Sequence, residues 1–486
     1  VDDQWARLDA AAERCMDQRR FSEAVALLQQ AVALAPDHAD SWFNLGYALR
    51  QARAYPQALD AYAEALRRHV SEPEAVRVNR AAILSEYLEQ TGEAEHELRT
   101  AIALNPAFLP AWLNLGGLME DVGNAEAAAD AYRQALRIAP GNGRARARLA
   151  AIRVHAGEES AAIVDLRERL RLGADSGEDT AELLFALGNA LDADGQYPEA
   201  FRTIAKANAI NSALRPVSER YNRLQQERLV DSLIEAFPTR PVTTETNDGA
   251  TMIFVCGLFR SGSTVIEQLL GRHPKIQVGG ELELVPALVH DHLLPYPAKL
   301  RNIREDQLQL LRGRYLDSIR SNFPDAIYVS DKRPDNFLHI GLIKTLFPRA
   351  RLVHTVRDAL DNLLSIYFLN FADTIRYSDR LEDIVHYIGQ YRRLMAHWER
   401  IFGDDIVTVD YDRLVHDPDA MMSETFERLG LPAIAPDTGQ PSPPTIIRTP
   451  SNWRARGAVH TRSSGRWQNY ATEIEAARIA LGETDR

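Results

Sequence analysis

The sequence predicts a multidomain protein: an all-α solenoid of helical hairpins over residues 1–215, then an α/β domain with a parallel sheet over 249–486. Three observations predict it. In the first half, a pattern of small and aromatic residues recurs at roughly one or two periods of about 34 residues. Past Thr251 the pattern changes to short continuous apolar runs, each followed by polar residues and a helical segment, as in buried parallel strands. The first of these runs opens a glycine-rich loop suited to wrapping a phosphate-like anion.

The clearest repeat unit runs Trp42, Leu45, Gly46, Ala58, Tyr62, Ala65, and is copied as Trp112, Leu115, Gly116, Ala128, Tyr132, Ala135, Pro140. A more divergent copy reads Leu184, Leu187, Gly188, Leu191, Gly195, Ala200, Ala207. Gly46 and Ala58 are expected where the two helices of a hairpin touch, because small side chains let backbones approach. Pro36, Pro106 and Pro140 fall near unit ends, and Pro140 stops its helix because it lacks an amide proton and clashes with the preceding turn. The pattern resembles the tetratricopeptide repeat, which implies five or six hairpins stacked as a right-handed solenoid. Residues 71–100 and 141–180 read as degenerate or shortened units, with Gly92, Gly173 and Gly177 off the pattern. Residues 216–248 read as a linker: a charged helix from Ser218 to Phe237, then Pro238, Pro241 and a polar turn-forming stretch.

A chain of 486 residues exceeds one hydrophobic core. Its 45% hydrophobic and 26% charged residues are those of an ordinary globular protein. The net charge of -12 argues against bulk binding of nucleic acid or anionic membrane, which reward a basic surface. A local basic cleft for a small anion is compatible with it. Cys15 and Cys256 form neither a disulfide framework nor a metal-ligand pattern, so no metal is expected. No apolar run of about eighteen residues occurs, and no signal-peptide core follows Val1. A reducing cytoplasm is the expected location. Because the chain starts at Val1, a removed targeting segment stays open, as does the oligomeric state.

The chemistry gathers where strands end. After Met252–Cys256 comes Gly257-x-x-x-x-Gly262-Ser263-Thr264, the frame of a Walker A loop with Ser263 where lysine would stand. Backbone amides and the following helix N-terminus point at an anion, and Gly262 lets the backbone come close. Arg260 adds a fixed charge and a planar fork of donors; Ser261, Ser263 and Thr264 add hydroxyls. The missing lysine argues against ATP hydrolysis. Further strands are expected at 327–329, 352–356 and 406–409. Arg357 ends one of them, and Ser365 follows about two turns into the next helix. Two anion positions at one sheet edge point to a ligand with two separated phosphate groups.

In order, Arg260–Thr264, Gly280-Glu281-Leu282-Glu283, Asp331–Phe337, Arg357-Asp358 with Ser365, Val409–Leu414 and Ser463–Trp467 resemble the sulfotransferase family. The similarity spans essentially 250–470 and is nearest to bacterial repeat-fused members and tyrosylprotein sulfotransferases. The resemblance implies 3′-phosphoadenosine 5′-phosphosulfate (PAPS) as sulfuryl donor, with 3′-phosphoadenosine 5′-phosphate (PAP) as product. Arg260 to Thr264 would cradle the 5′-phosphosulfate, Arg357 and Ser365 would hold the 3′-phosphate, and Arg466 would face the same phosphates. Arg260 and Lys332 would stabilise charge on the transferred group, Ser451 would stand near the sulfate, and Glu281 would be the base. Glu283 stays open as the alternative base, since tyrosylprotein enzymes carry theirs one residue later, where Leu282 stands here. Two departures are Phe259 for the usual proline, and Arg454-Ala455-Arg456-Gly457 for the customary Gln-Val-Arg-x-Pro. The expected acceptor is tyrosine or another hydroxyl on a peptide or protein, delivered by the repeat solenoid's concave face. A carbohydrate, lipid or small phenolic acceptor, or a scaffold with an inactive transferase domain, are the alternatives. Acceptor loops are expected at 285–325 and 369–380, where Tyr367, Phe368, Phe371 and Tyr377 could line a pocket or fill the core. His273, His354 and His460 read as solvated or core histidines, with His460 a lesser candidate base.

Overall fold

The computed structural model describes residues 4–88, 90–241, 251–371, 375–432 and 464–483. By packing, the chain divides into two compact units, Val1–Gly157 and Glu158–Arg486.

The first unit is a run of antiparallel helices: α1 (Gln4–Asp17), α2 (Phe21–Leu34), α3 (Ala39–Gln51), α4 (Tyr55–Arg67), α5 (Pro73–Glu86), α6 (Thr91–Leu104), α7 (Leu109–Asp121), α8 (Ala125–Ile138) and α9 (Gly143–His155). The small residues act as their pattern implies. A Cβ at Gly46 would lie 2.6 Å from the Tyr62 ring, and one at Gly116 would lie 2.5 Å from that of Tyr132. Only hydrogen fits there, so α3 and α7 can close on α4 and α8 around a fully buried ring. Each copy also repeats one bond: Trp42 Nε1 donates to the Pro36 carbonyl at 2.9 Å, and Trp112 Nε1 to that of Pro106 at 3.0 Å. The divergent stretch 71–100 is not shortened. Its helices α5 and α6 are 14 residues each, with Gly92 in the first turn of α6, clear of the helix contact.

The second unit begins with α10 (Glu159–Leu172), α11 (Gly177–Ala193) and α12 (Tyr197–Leu214). Gly188 meets Ile204 where the earlier copies meet a tyrosine. The linker helix starts later than its charge pattern suggests, as α13 (Arg223–Ala236), because the Asn222 side chain caps it by accepting from the Gln225 amide. The repeat pattern runs to residue 214, whereas packing divides the chain at Gly157. The reason lies in α11 and α12, whose polar side chains bond into the sheet domain. Asn208 Nδ2 donates to the Tyr367 carbonyl at 3.0 Å, Asn189 Nδ2 to that of Phe368 at 3.1 Å, and Arg215 forms a buried ion pair with Asp379.

The sheet has five parallel strands: β1 (Thr251–Gly257), β2 (Ile276–Val278), β3 (Tyr328–Lys332), β4 (Arg351–Val356) and β5 (Ile406–Asp410), in the order β2-β3-β1-β4-β5. Between them run α14 (Ser263–Leu270), α15 (Leu284–His292), α16 (Glu305–Asn322), α17 (Ile340–Leu346), α18 (Ala359–Tyr367) and α19 (Leu381–Phe402). Residues 252–257 of β1 are all buried, as a central strand covered on both faces requires. Ile253 and Val255 pack with Ile266, Leu269 and Leu270 of α14 and with Val407 and Val409 of β5. Such burial stabilises by about 1.5–3 kcal/mol per large aliphatic side chain. This fixes the strand ends from which the site is built. Among the described residues, no helix is long and apolar enough to cross a membrane.

Candidate active site

Because all five strands are parallel, their carboxyl ends lie at one sheet edge, and β1 sits where the strand order reverses. The loop after β1 is therefore central. Gly262 sits at φ +96° as the N-cap of α14, and a Cβ there would lie 2.2 Å from the Tyr411 ring at the end of β5. Arg260 adopts φ +71°, a left-handed conformation that costs an L-residue about 1–2 kcal/mol. The loop is pinned to β4: Ser261 Oγ and Thr355 Oγ1 are 2.5 Å apart, and Thr355 Oγ1 donates to the Cys256 carbonyl at 3.1 Å. Ser261 and Ser263 are buried, and Thr264 follows in the first turn of α14.

The residues expected at two anion positions lie next to one another. Arg260 Nε donates to Ser365 Oγ at 3.2 Å, and an Arg357 amino group donates to the Arg260 carbonyl at 3.2 Å. Asn362 Nδ2 donates to the Phe259 carbonyl at 2.7 Å, so α18 also holds the loop's shape. Arg357 lies 5.2 Å over the Tyr411 ring, and burial pulls its pKa down, the direction expected for a cation held from water.

At the other side of β1, Lys332 ends β3 and is 3% exposed, while the Glu281 side chain is 47% exposed; Lys332 Nζ donates to Glu281 Oε1 at 2.5 Å. Glu283 turns away to an ion pair with Arg333, which also binds Asp335 at 3.0 Å. Beneath them lies Glu267 of α14, fully enclosed. It accepts from Ser330 Oγ at 2.7 Å and from the Gly280 amide at 3.1 Å, fixing the turn that carries Glu281. Burial raises its pKa, and the Lys332 charge opposes that rise. Asp331 is likewise enclosed; burial pushes its carboxyl up to about 7, although Tyr315 donates to it at 2.8 Å.

Arg466 forms its ion pair with Asp192 of α11 at 3.0 Å and lies 4.4 Å over the Phe368 ring. Ser451, together with Arg454–Gly457 and His460, lies outside the described residues. Tyr367, Phe368 and Tyr377 take the core role: all are buried, against Phe201, Tyr470 and Tyr387. His273 and His354 are buried too, the latter bonded to Tyr391. Sequence reasoning missed Glu267, Asp361 and Asp192, and it placed Tyr411 in the Val409–Leu414 motif without giving it a role. Glu267 left one signal, an acid flanked by Ile266, Leu269 and Leu270 on an apolar helix.

Fold and site together define a repeat protein with an α/β domain whose loop after β1 has the frame of a phosphate loop without its lysine. Comparison with known proteins sharpens this. The family model described as "Sulfotransferase family" matches residues 252–436, and "Tetratricopeptide repeat" matches 10–73 and 79–143. The chain thus joins tetratricopeptide repeats to a domain of the sulfotransferase family, as the ordered motifs imply. An uncharacterized protein of Aquifex aeolicus (strain VF5) is 29% identical over 306 residues, 59% of this chain and 39% of that protein. Protein-tyrosine sulfotransferase 1 of Danio rerio is 23% identical over 205 residues, 38% of this chain and 55% of that protein. The chain therefore spans between two fifths and just over half the length of these curated relatives. Among solved structures, a tetratricopeptide repeat protein from Parabacteroides merdae aligns with a TM-score of 0.35 and 18% identity, covering 48% of this chain and 91% of its own.

Proposed function

We propose that the protein transfers a sulfuryl group from PAPS to a hydroxyl acceptor, tyrosine or another hydroxyl on a peptide or protein gathered by the repeats. The observation that carries this reading is the enclosed Lys332 ammonium, 2.5 Å from a half-exposed Glu281, beside a phosphate loop that has no lysine of its own. The residues present fit such a donor. Gly262 forms a cradle that a Cβ would fill, and Arg260, Ser365 and Arg357 meet within hydrogen-bond distance of one another's atoms.

PAPS supplies a sulfuryl group on a good leaving oxygen. The chain's residues then have three tasks. The loop amides, Arg260 and the hydroxyls of Ser261, Ser263 and Thr264 orient the 5′ end; Arg357 and Ser365 take the 3′-phosphate. Lys332 places positive charge where the bond between sulfur and the bridging oxygen breaks, so that the electrons leave with the phosphate. Glu281 accepts the acceptor hydroxyl's proton as oxygen bonds to sulfur. Positioning and electrostatics of this kind dominate the parallel chemistry of phosphoryl transfer. Glu281 is favoured over Glu283 because Glu283 and Arg333 are already paired outside the Lys332 contact.

A protein acceptor is supported by the tyrosine sulfotransferases among the relatives. Incubation with sulfur-labelled PAPS should put label into a protein fraction. Label confined to carbohydrate, lipid or small phenols would move the acceptor class, and calorimetry showing no binding of PAP would overturn the reading.

A further inference from the structure

Asp192, in the last turn of α11, belongs to the repeat pattern, yet its carboxylate faces the transferase domain and is nearly enclosed. Arg466 reaches it through two nitrogens, at 3.2 and 3.0 Å, and Tyr470 Oη donates to it at 2.5 Å. The Arg466 guanidinium is further held over the rings of Phe368 and Tyr470. These contacts anchor the turn at 465–467. Its backbone in turn faces α18: the Gly465 amide donates to Asp361 Oδ2 at 2.6 Å, and the Trp467 amide to Asp361 Oδ1 at 2.8 Å. Both oxygens of Asp361, which is 1% exposed, are thereby satisfied by neutral donors. Asp361 lies one residue before Asn362, which holds the phosphate loop, and its charge acts directly on Arg357.

We propose that Asp192 is a positioning residue of the nucleotide site: by anchoring the 465–467 turn it keeps that turn's amides on Asp361, so that Asp361 does not draw Arg357 away from the ligand phosphate. A buried carboxylate cannot go unsatisfied without large cost. Once the turn detaches, Arg357, whose charge already acts on Asp361, is a cation able to replace its amides. The last repeat hairpin is then part of the nucleotide site's support. This inference rests on the reading that Arg357 and Ser365 hold the 3′-phosphate.

That reading supplies a test that general loosening of the fold would not mimic. Binding of PAP and of AMP, which lacks the 3′-phosphate, is measured by calorimetry on the full chain and on Asp192→Asn, with thermal melting alongside. Asp192→Asn should weaken PAP about tenfold, within the range for residues sharing one ion-pair network, and leave AMP within about twofold. Tyr470→Phe, which removes one donor to Asp192, should shift the same ratio in the same direction by less, and is read if Asp192→Asn does not fold. An unchanged PAP-to-AMP ratio in these variants, whether both affinities hold or both fall alike, overturns the proposal alone. A wild-type protein that binds the two nucleotides equally overturns the reading of the site, and the proposal with it.

Discussion

Replacing Glu281 by glutamine tests its proposed role as base apart from its role in packing. The change is isosteric and leaves an oxygen for Lys332 Nζ, now 2.5 Å away. What it removes is a charge that can take a proton. The Glu281 side chain is 47% exposed, so the ion pair is screened and its loss should cost only about 1 kcal/mol of stability. Lys332 also keeps the buried Glu267 as a nearby acid. The kinetic effect is different in scale: a general base contributes roughly 10²–10⁴-fold, and two decades correspond to about 2.7 kcal/mol in the barrier. Glu281→Gln should therefore melt close to wild type and bind PAP within about twofold, but lose at least about a hundredfold in single-turnover transfer from PAPS. Glu283→Gln, which breaks the pair with Arg333, should retain most of that rate. The reverse pattern, with Glu281→Gln near normal and Glu283→Gln crippled, would refute the assignment.

Three further substitutions follow from packing and burial. Gly262→Ala should abolish detectable PAP binding in calorimetry, because its Cβ would stand 2.2 Å from Tyr411 at a left-handed backbone position. Gly116→Ala should lower stability in denaturant titrations by about 1–3 kcal/mol, since the Tyr132 ring it strikes is tied to Glu120 through its hydroxyl at 2.6 Å and cannot swing aside. Asp331→Asn should flatten a pH dependence. The folded-state pKa of about 7 exceeds the ordinary 3.8, so the stability tied to the protonated acid is full below that lower value and lost as pH rises toward 7. Melting of the variant relative to wild type should improve across that window, by at most about 4 kcal/mol at its upper end, and a constant difference would refute the cause.

The parts of this protein legible in sequence are those set by local periodicity. The tyrosine-over-glycine contact of each hairpin is written in Gly46 with Tyr62 and in Gly116 with Tyr132, because helix geometry repeats whatever surrounds it. The strands were equally readable, since a strand buried on both faces needs a continuous apolar run. The site was readable where it uses a loop and its own helix, as from Gly257 to Thr264. It was not readable where partners are distant in the chain. Nothing in the spacing of Arg357 and Ser365 says that Ser365 meets Arg260, 105 positions earlier. Likewise, the contact between Asp192 and Arg466 joins residues 274 apart. Divergent repeats misled for a related reason: α5 and α6 lack the consensus glycine but keep buried residues such as Val76, Ile83, Ala94 and Leu98, and that suffices for full-length helices.

The serine at position 263 gains its sense from the strand order. In the parallel register β3 lies beside β1, with Val255 opposite Lys332, so a cation at the end of β3 arrives next to the loop without belonging to it. Placed there, the ammonium is enclosed by Glu267 below and Glu281 beside it, and it need not share the crowded first turn of α14, where Ser263 is already buried. A lysine inside the loop would put charge at the loop but would have no such contact with the carboxylate on the neighbouring β2 turn. Moving the cation one strand over couples it to Glu281 in a single ion pair. In the proposed reaction both members act on the same event, Lys332 on the departing oxygen and Glu281 on the arriving one. Glu281, the more exposed of the two, is the member that an acceptor reaches in that reaction.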